Sequence, residues 1–263
     1  MITFQKFVKA ESLEEAYTLN QARNNKIIAG MLWARLGTPN YNTVIDISGL
    51  GLDTIEEDDD QFKIGAMVSL RTLETNKSLN EYTDNAISDA LKDIVGTQFR
   101  NMATIGGSIW GRFGFSDVLT VLLALDSYVE LYKGGIISLA DFSQMKYDND
   151  ILMNVIIKKR LCKCVYSSVR IQRTDFPVLT CATSVIDGEY KVSIGARPGR
   201  ARLYTDENNI LSAGISPDTA SAFAKSLSKL VPTSSNNRGS AKYRSRLVAT
   251  LVERNLTKLG GLM

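Results

Sequence analysis

The order of elements readable in the sequence is compatible with an α+β fold in two parts, and three observations carry that expectation. Up to Arg160, helical periodicity is interspersed with short β-branched runs. The basic triplet Lys158-Lys159-Arg160 then marks a boundary. Beyond it the pattern changes to a meander of three strand-like runs followed by two helices.

Taken in order, Ser12-Leu13-Glu14-Glu15 has the form of a capping box, in which hydroxyl and carboxylate satisfy free backbone donors. Leu13, Ala16, Leu19 and Ala22 then fall on one face of a helix ending near Arg23. Asn24-Asn25 turns the chain into the β-branched run Lys26-Ile27-Ile28-Ala29, and Thr43-Val44-Ile45-Asp46-Ile47 is the next strand, so the start reads helix, strand, loop, strand. Glu56-Glu57-Asp58-Asp59-Asp60 carries too much like charge to be buried and reads as a solvated turn tip before the strand Phe62-Lys63-Ile64-Gly65-Ala66. Ser69 caps a short helix through Leu73. Tyr82, Ala86, Ile87, Ala90, Leu91 and Ile94 predict a longer amphipathic helix with Gly96 as its stop. A helix from Ser116 carries Val118, Leu119, Val121, Leu122 and Leu125 and is apolar all round, which places it in the core. Strands at 128–132 and 136–139 flank Lys133-Gly134-Gly135, and 151–157 makes one more. Past the triplet, strands are expected at 164–171, 179–185 and 190–194, with Asp187-Gly188 as a hairpin turn, and helices at 217–230 and 240–259.

The totals exclude whole classes of function. At 263 residues, 44% hydrophobic and 22% charged, the chain has a globular composition with enough apolar residues for a sizeable core. Its 31 Lys and Arg against 28 Asp and Glu leave a charge of +3, far from the clustered excess of a nucleic-acid binder. No run approaches the roughly 18 apolar residues of a membrane span. Met1-Ile2-Thr3-Phe4-Gln5-Lys6 lacks the basic-then-apolar form of a leader, so a cytoplasmic protein free of membrane is expected. Cys162, Cys164 and Cys181 are odd in number and have no repeated Cys-x-x-Cys, which argues against a disulfide framework and against a self-contained cluster site; the Cys162/Cys164 pair reads as strand packing. The absence of histidine is more informative still. It removes Ser-His-Asp and Cys-His nucleophiles, the usual zinc sites, His-linked flavin and the commonest general base. The chemistry is therefore expected from a bound cofactor, with no metal ligands and no catalytic side chain in this chain.

Two glycine-bearing segments are the candidate binding sites. In Ile27-Ile28-Ala29-Gly30-Met31-Leu32-Trp33, a strand runs into a glycine, for which a simple turn is the plainer reading. Arg100-Asn101-Met102-Ala103-Thr104-Ile105-Gly106-Gly107-Ser108 is more pointed, because paired glycines let the backbone approach a phosphate and let successive N–H groups face one anion. Thr104 and Ser108 add hydroxyl donors, and Asp117 supplies an acceptor for a ribose hydroxyl. The same residues also suit a bulge at Gly106-Gly107 and a first-turn acid at Asp117. Neither segment has the Gly-Lys-Ser/Thr of a Walker loop or the Gly-x-Gly-x-x-Gly of a Rossmann fold.

From Gln98 to Asp126 the sequence resembles the FAD-binding subunits and domains of molybdenum hydroxylases, the group that includes xanthine and carbon monoxide dehydrogenases. That family reads Q-x-R-N-x-A-T-I-G-G-N, then S-D-L, then L-L-A-L-D-A; Gln98, Arg100, Asn101, Ala103 to Gly107, Ser116-Asp117 and Leu122 to Asp126 match. Ile45-Asp46-Ile47 with Leu50, Ile64-Gly65-Ala66 and Ile137-Ser138-Leu139-Ala140-Asp141-Phe142 resemble further family segments. In the last third, Arg173 to Leu179 with Ala182, Gly195-Ala196-Arg197-Pro198-Gly199-Arg200-Ala201 and Tyr243-Arg244 resemble its small C-terminal domain. The first loop departs from the family's A-G-G-T-D or A-G-G-H-S, because Met31-Leu32-Trp33 follows Gly30 and removes one glycine and the polar side chains. Ser108 stands in place of the usual Asn.

The resemblance implies an α+β fold with an FAD-binding domain of the PCMH type over residues 1–160, in subdomains of about 1–53 and 54–160, and a C-terminal domain over 161–263 holding a three-stranded sheet and helices. It implies non-covalent FAD, its isoalloxazine edge open to nicotinamide. Ile27, Ile28, Ala29, Gly30, Met31, Leu32, Trp33 and Ala34 would meet the diphosphate as the first loop, and Thr104, Ile105, Gly106, Gly107 and Ser108 as the second. Asp117 would hold the nucleotide portion, and Ile94 and Leu152 fall at further flavin contacts. It also implies an oxidoreductase subunit of the xanthine dehydrogenase type. A molybdopterin-binding large subunit and a 2Fe-2S small subunit would be its partners, and NAD+ the electron acceptor. A stand-alone flavin-binding protein and a flavin oxidase without molybdenum partners are the alternatives.

Overall fold

A computed structural model of the chain describes residues 2–261 and shows three sheets in sequence order, each with its own helices. The first is a parallel three-stranded sheet of β1 (Thr3–Lys9), β2 (Lys26–Ile28) and β3 (Asn40–Asp46) in the order β1-β3-β2. Helix α1 (Leu13–Gln21) crosses from β1 toward β2, capped by Ser12, whose hydroxyl accepts from the Glu15 N–H at 3.1 Å. Ala10, Ala16, Ile45, Ile47, Leu52 and Ile151 form the small core beneath it.

The second sheet is antiparallel, in the order β4-β5-β8-β6-β7: β4 (Ile55–Glu57), β5 (Gln61–Gly65), β6 (Ser127–Leu131), β7 (Gly135–Ser138) and β8 (Leu152–Lys158). Between β5 and β6 run six short helices: α2 (Leu70–Thr75), α3 (Lys77–Tyr82), α4 (Ala86–Leu91), α5 (Thr97–Met102), α6 (Ile105–Gly111) and α7 (Asp117–Leu123). A further helix, α8 (Leu139–Gln144), follows β7. All residues of α7 are buried, as its largely apolar sequence requires, Asp117 and Thr120 included.

The third sheet is an antiparallel meander, β12-β11-β10-β9, of β9 (Cys162–Val169), β10 (Leu179–Ile186), β11 (Glu189–Gly195) and β12 (Arg202–Thr205). Asp187 and Gly188 turn β10 into β11 with φ of 49° and 86°, the pair of left-handed residues that a tight hairpin needs. Helices α9 (Pro217–Leu230) and α10 (Ala241–Leu259) cover one face, where Val248, Leu251, Val252 and Leu256 share one core with Leu179, Cys181, Val192 and Ile194. The other face joins the core of the second sheet through Cys164, Tyr166, Ala182 and Ala201. A buried polar seam binds the two: the Thr120 and Thr180 hydroxyls lie 2.9 Å apart, and the Ser184 hydroxyl donates to the Ala124 carbonyl. Gly195 admits this contact, since a Cβ there would stand 2.2 Å from the Thr120 hydroxyl.

The α+β class is as expected, with differences of detail that have local causes. The amphipathic run from Tyr82 to Ile94 is broken into α3 and α4 because Asp84 and Asn85 take left-handed φ of 49° and 64°. Gly96 starts α5 as its N-cap and stops nothing. Strand β1 precedes the first expected element; its exposed, mixed residues carry no alternation that separates two faces. The meander carries a fourth strand, β12, beyond the three expected. No described helix is long and apolar enough to cross a membrane.

Candidate functional site

The two glycine segments meet. Gly30 lies one residue past β2, after Ala29, and a Cβ on it would lie 1.9 Å from the Met102 carbonyl oxygen, so only glycine allows the first loop to lie against the residues leading into Thr104. Met31 stands where the family carries a second glycine, yet it keeps a glycine-like backbone at φ 61°. A turn of 3₁₀ helix at Ala34–Leu36 follows. Between them, the backbone N–H groups of residues 29–34 have no hydrogen-bond partner among the described residues. Consecutive unpaired donors around a left-handed residue make an electropositive concavity suited to an anion. The side chains lost from this loop did not carry that property.

The second segment is differently built. Thr104 caps α6, and Gly106 and Gly107 lie inside its first turn. The Ile105 N–H donates to the Val68 carbonyl at 2.9 Å and the Gly106 N–H to the Ala66 carbonyl at 2.8 Å. The Gly107 N–H donates to the Thr104 hydroxyl oxygen at 3.1 Å, and the Ser108 N–H and hydroxyl both donate to the Thr104 carbonyl. Gly106 answers to packing, since its Cβ would stand 2.6 Å from the Ala66 carbonyl. What this segment leaves free is the Thr104 hydroxyl hydrogen, because that oxygen already accepts from Gly107 and keeps its own donor.

Asp117 opens α7 and is 5% exposed. Its Oδ1 accepts from the Tyr166 hydroxyl and from Arg170 Nη2, the latter at 2.5 Å. Burial pushes its carboxyl up, against the Arg170 charge and the Tyr166 hydrogen bond that favour the charged form. Both partners come from β9 and the residue just past it, so the acid ties the helical layer to the third sheet. Ile94 sits in the turn before α5, where its carbonyl accepts from Arg100 at 3.0 Å, and Leu152 is buried in the core at the start of β8. Arg100 is itself held by Glu74 at 2.7 Å, which fixes α5 and hence Met102 behind Gly30. Arg197 and Arg244 are braces: Arg197 donates to the Arg200 and Pro232 carbonyls, and Arg244 to the Val178, Ser234 and Gly239 carbonyls and to Asn236.

An aromatic cluster absent from the sequence reading borders the first loop. Trp33 contacts Phe113, Phe115 and Phe176 at centroid distances of 5.6, 5.0 and 5.5 Å. Phe113-Gly114-Phe115 immediately precedes Ser116-Asp117, which was the available signal. Gly114 lies against Gly199, so this loop also touches the third sheet's β11–β12 connection. Among the described residues, no three His, Cys, Asp or Glu side chains group as metal ligands.

With this geometry in place, comparison with known proteins is informative. Residues 2–159 match the family model described as the FAD binding domain in molybdopterin dehydrogenase. The nicotine 6-hydroxylase medium subunit of Paenarthrobacter nicotinovorans is 26% identical over 278 residues, covering 97% of each chain. The uncharacterized protein YgfM of Escherichia coli K12 is 24% identical over 254 residues, covering 94% of this chain and 93% of that one. Among solved structures, a carbon monoxide dehydrogenase from Hydrogenophaga pseudoflava superposes with a TM-score of 0.82 at 19% identity, over 97% of this chain and 96% of that one, a likeness of fold.

Proposed function

Because the chain belongs to the family of FAD binding domains in molybdopterin dehydrogenases, we propose that it is the flavin-carrying, electron-transfer subunit of a molybdenum hydroxylase. The observation that carries this reading is the run of unpartnered N–H groups at residues 29–34, in a loop that packs on Met102 and Ala103 just before Thr104 with its free hydroxyl hydrogen. These donors would hold the diphosphate of a non-covalent FAD. Bound there, the flavin supplies a relay that takes electrons singly and hands them on in pairs. The chain's own residues bind and orient. Gly30 lets the loop close on α5, and the Arg100–Glu74 pair keeps α5 in place. Ile105, Gly106, Gly107 and Ser108 support the loop from within the fold, and Asp117 acts as a strut between layers. No side chain is asked to move a proton.

The relative named a medium subunit supports a heteromeric assembly. In it, a large subunit would carry molybdopterin and oxidise the organic substrate, and a small subunit would carry 2Fe-2S clusters. NAD+ is the acceptor we propose, and the cytoplasm the location. We also propose domain limits at 1–160 and 161–263, the first divided near residue 53, which follow the grouping of the three sheets.

The test is purification under native conditions followed by acid release of the bound flavin. The expected result is about one FAD per chain, reducible by NADH and by co-purified molybdenum and iron–sulfur subunits once these have oxidised their organic substrate. A colourless protein that takes up no FAD on reconstitution would overturn the reading. A flavin inert to both NADH and partners would overturn its electron-transfer part.

A further inference from the structure

Trp33 has three ring neighbours and is stacked on none of them. Its contacts with Phe113, Phe115 and Phe176 are edge-on, at interplanar angles of 64°, 60° and 83°. The parallel pair in this cluster is Phe113 with Phe115, at 4° and 5.3 Å. The side chain is thus held by three phenyl rings while the residue as a whole stays 40% exposed. Trp33 belongs to the same stretch as the unpaired N–H donors, and its backbone N–H is one of them. The elements that hold it are the α6–α7 loop and the segment after β9, so the cluster lies where the helical layer, the first loop and the third sheet come together. Arg238, whose guanidinium lies 5.0 Å over Phe176, has a buried Nε with no partner among the described residues.

We infer that Trp33 is a ligand-binding residue: the exposed part of its indole stacks on a flat heteroaromatic ring of the dinucleotide whose diphosphate lies on residues 29–34. The inference rests on the proposed function and deepens it. A ring joined to a diphosphate must leave the phosphate loop at one end or the other, and Trp33 is the aromatic side chain within that loop. Stacking also replaces contacts the loop has lost. Met31, Leu32 and Trp33 offer no hydroxyl, whereas an indole face holds any base-like ring without hydrogen bonds. Either the isoalloxazine or the adenine satisfies this chemistry.

The chain has two tryptophans, so Trp110→Phe leaves Trp33 as its sole indole emitter. Flavin-free Trp110→Phe protein, titrated with FAD, is expected to lose more than about half of its tryptophan emission, at the same midpoint as the change in flavin fluorescence. Trp33→Ala is expected to weaken FAD on the order of tenfold, the effect of one aromatic–base stack, whereas Trp33→Phe stays within about threefold of the parent. Separate titrations with FMN and ADP identify the ring. A loss in Trp33→Ala confined to FMN puts the isoalloxazine on Trp33, and one confined to ADP puts the adenine there. An equal loss for both, or none for either, overturns the inference, as does FAD binding that leaves Trp33 emission unchanged while the proposed function stands. If the parent protein binds no FAD at all, the proposed function falls and takes this inference with it.

Discussion

Gly30 and Met31 are neighbours under opposite constraints. Gly30 has no room for a side chain, because a Cβ would run into the Met102 carbonyl at 1.9 Å; Met31 has room but an unfavourable φ of 61°. Gly30→Ala should therefore displace the loop from α5 and weaken FAD by at least about tenfold, about 1.4 kcal/mol, in a flavin-fluorescence titration. Met31→Gly should leave FAD binding intact and raise the thermal midpoint slightly, since relief of a left-handed conformation of about 1–2 kcal/mol is partly offset by the freer unfolded chain. A second residue-level effect concerns Glu74. Burial alone would push its carboxyl up, but the Arg100 and Arg71 guanidiniums outweigh that and hold it below the usual carboxylate range. A lowered carboxyl stabilises the fold above its ordinary pKa of about 4.3 and loses that contribution as pH falls through the lowered value. Glu74→Gln should cost roughly 3 kcal/mol at pH 7, as breaking a buried pair does, and its gap to the parent in urea unfolding should narrow below about pH 4.

Helix α6 shows how one motif serves two purposes. Gly106 is pressed on Ala66, at 2.6 Å for a Cβ, whereas a Cβ on Gly107 would meet nothing closer than the Thr104 hydroxyl at 3.2 Å. Gly106→Ala should cost about 1–3 kcal/mol by overpacking. Gly107→Ala should be neutral or gain up to about 1 kcal/mol from better helix propensity, both read by urea denaturation. Elements with strong local signals were legible: the Ser12 and Ser116 caps, the core helix α7, the Asp187-Gly188 hairpin and the pair α9 and α10. Others were not. No pattern announces that Asp84 and Asn85 will both turn left-handed and divide a helix, and β12 is too short to stand out. The paired glycines were visible as glycines, but a sequence does not distinguish a residue small for a ligand from one small for Ala66.

Over the whole molecule, the second and third sheets share a core, and Asp117 is its charged tie. Asp117→Asn leaves the Arg170 guanidinium, 7% exposed, without its counter-charge, and should cost about 3–5 kcal/mol. Denaturation followed by tryptophan fluorescence should then lose its single transition as the third sheet loosens first. The change of element pattern after Lys158-Lys159-Arg160, where the meander begins with β9, was readable in the sequence. The shared core was not, since it depends on partners far apart in sequence. So does the Trp33 cluster, which gathers residues from three separate segments of the chain.

That tie also sets a timetable for the nascent chain. Asp117 is synthesised 49 residues before Tyr166 and 53 before Arg170. At about 5–20 residues per second, roughly 2–11 s separate the synthesis of Asp117 from that of these partners, and over that time the largely apolar α7 has α4 and α6 to pack on but not β10 and β11. Until then the growing polypeptide holds an apolar helix with an unneutralised acid at its head, and a chain truncated before residue 166 should keep that helix only partly covered.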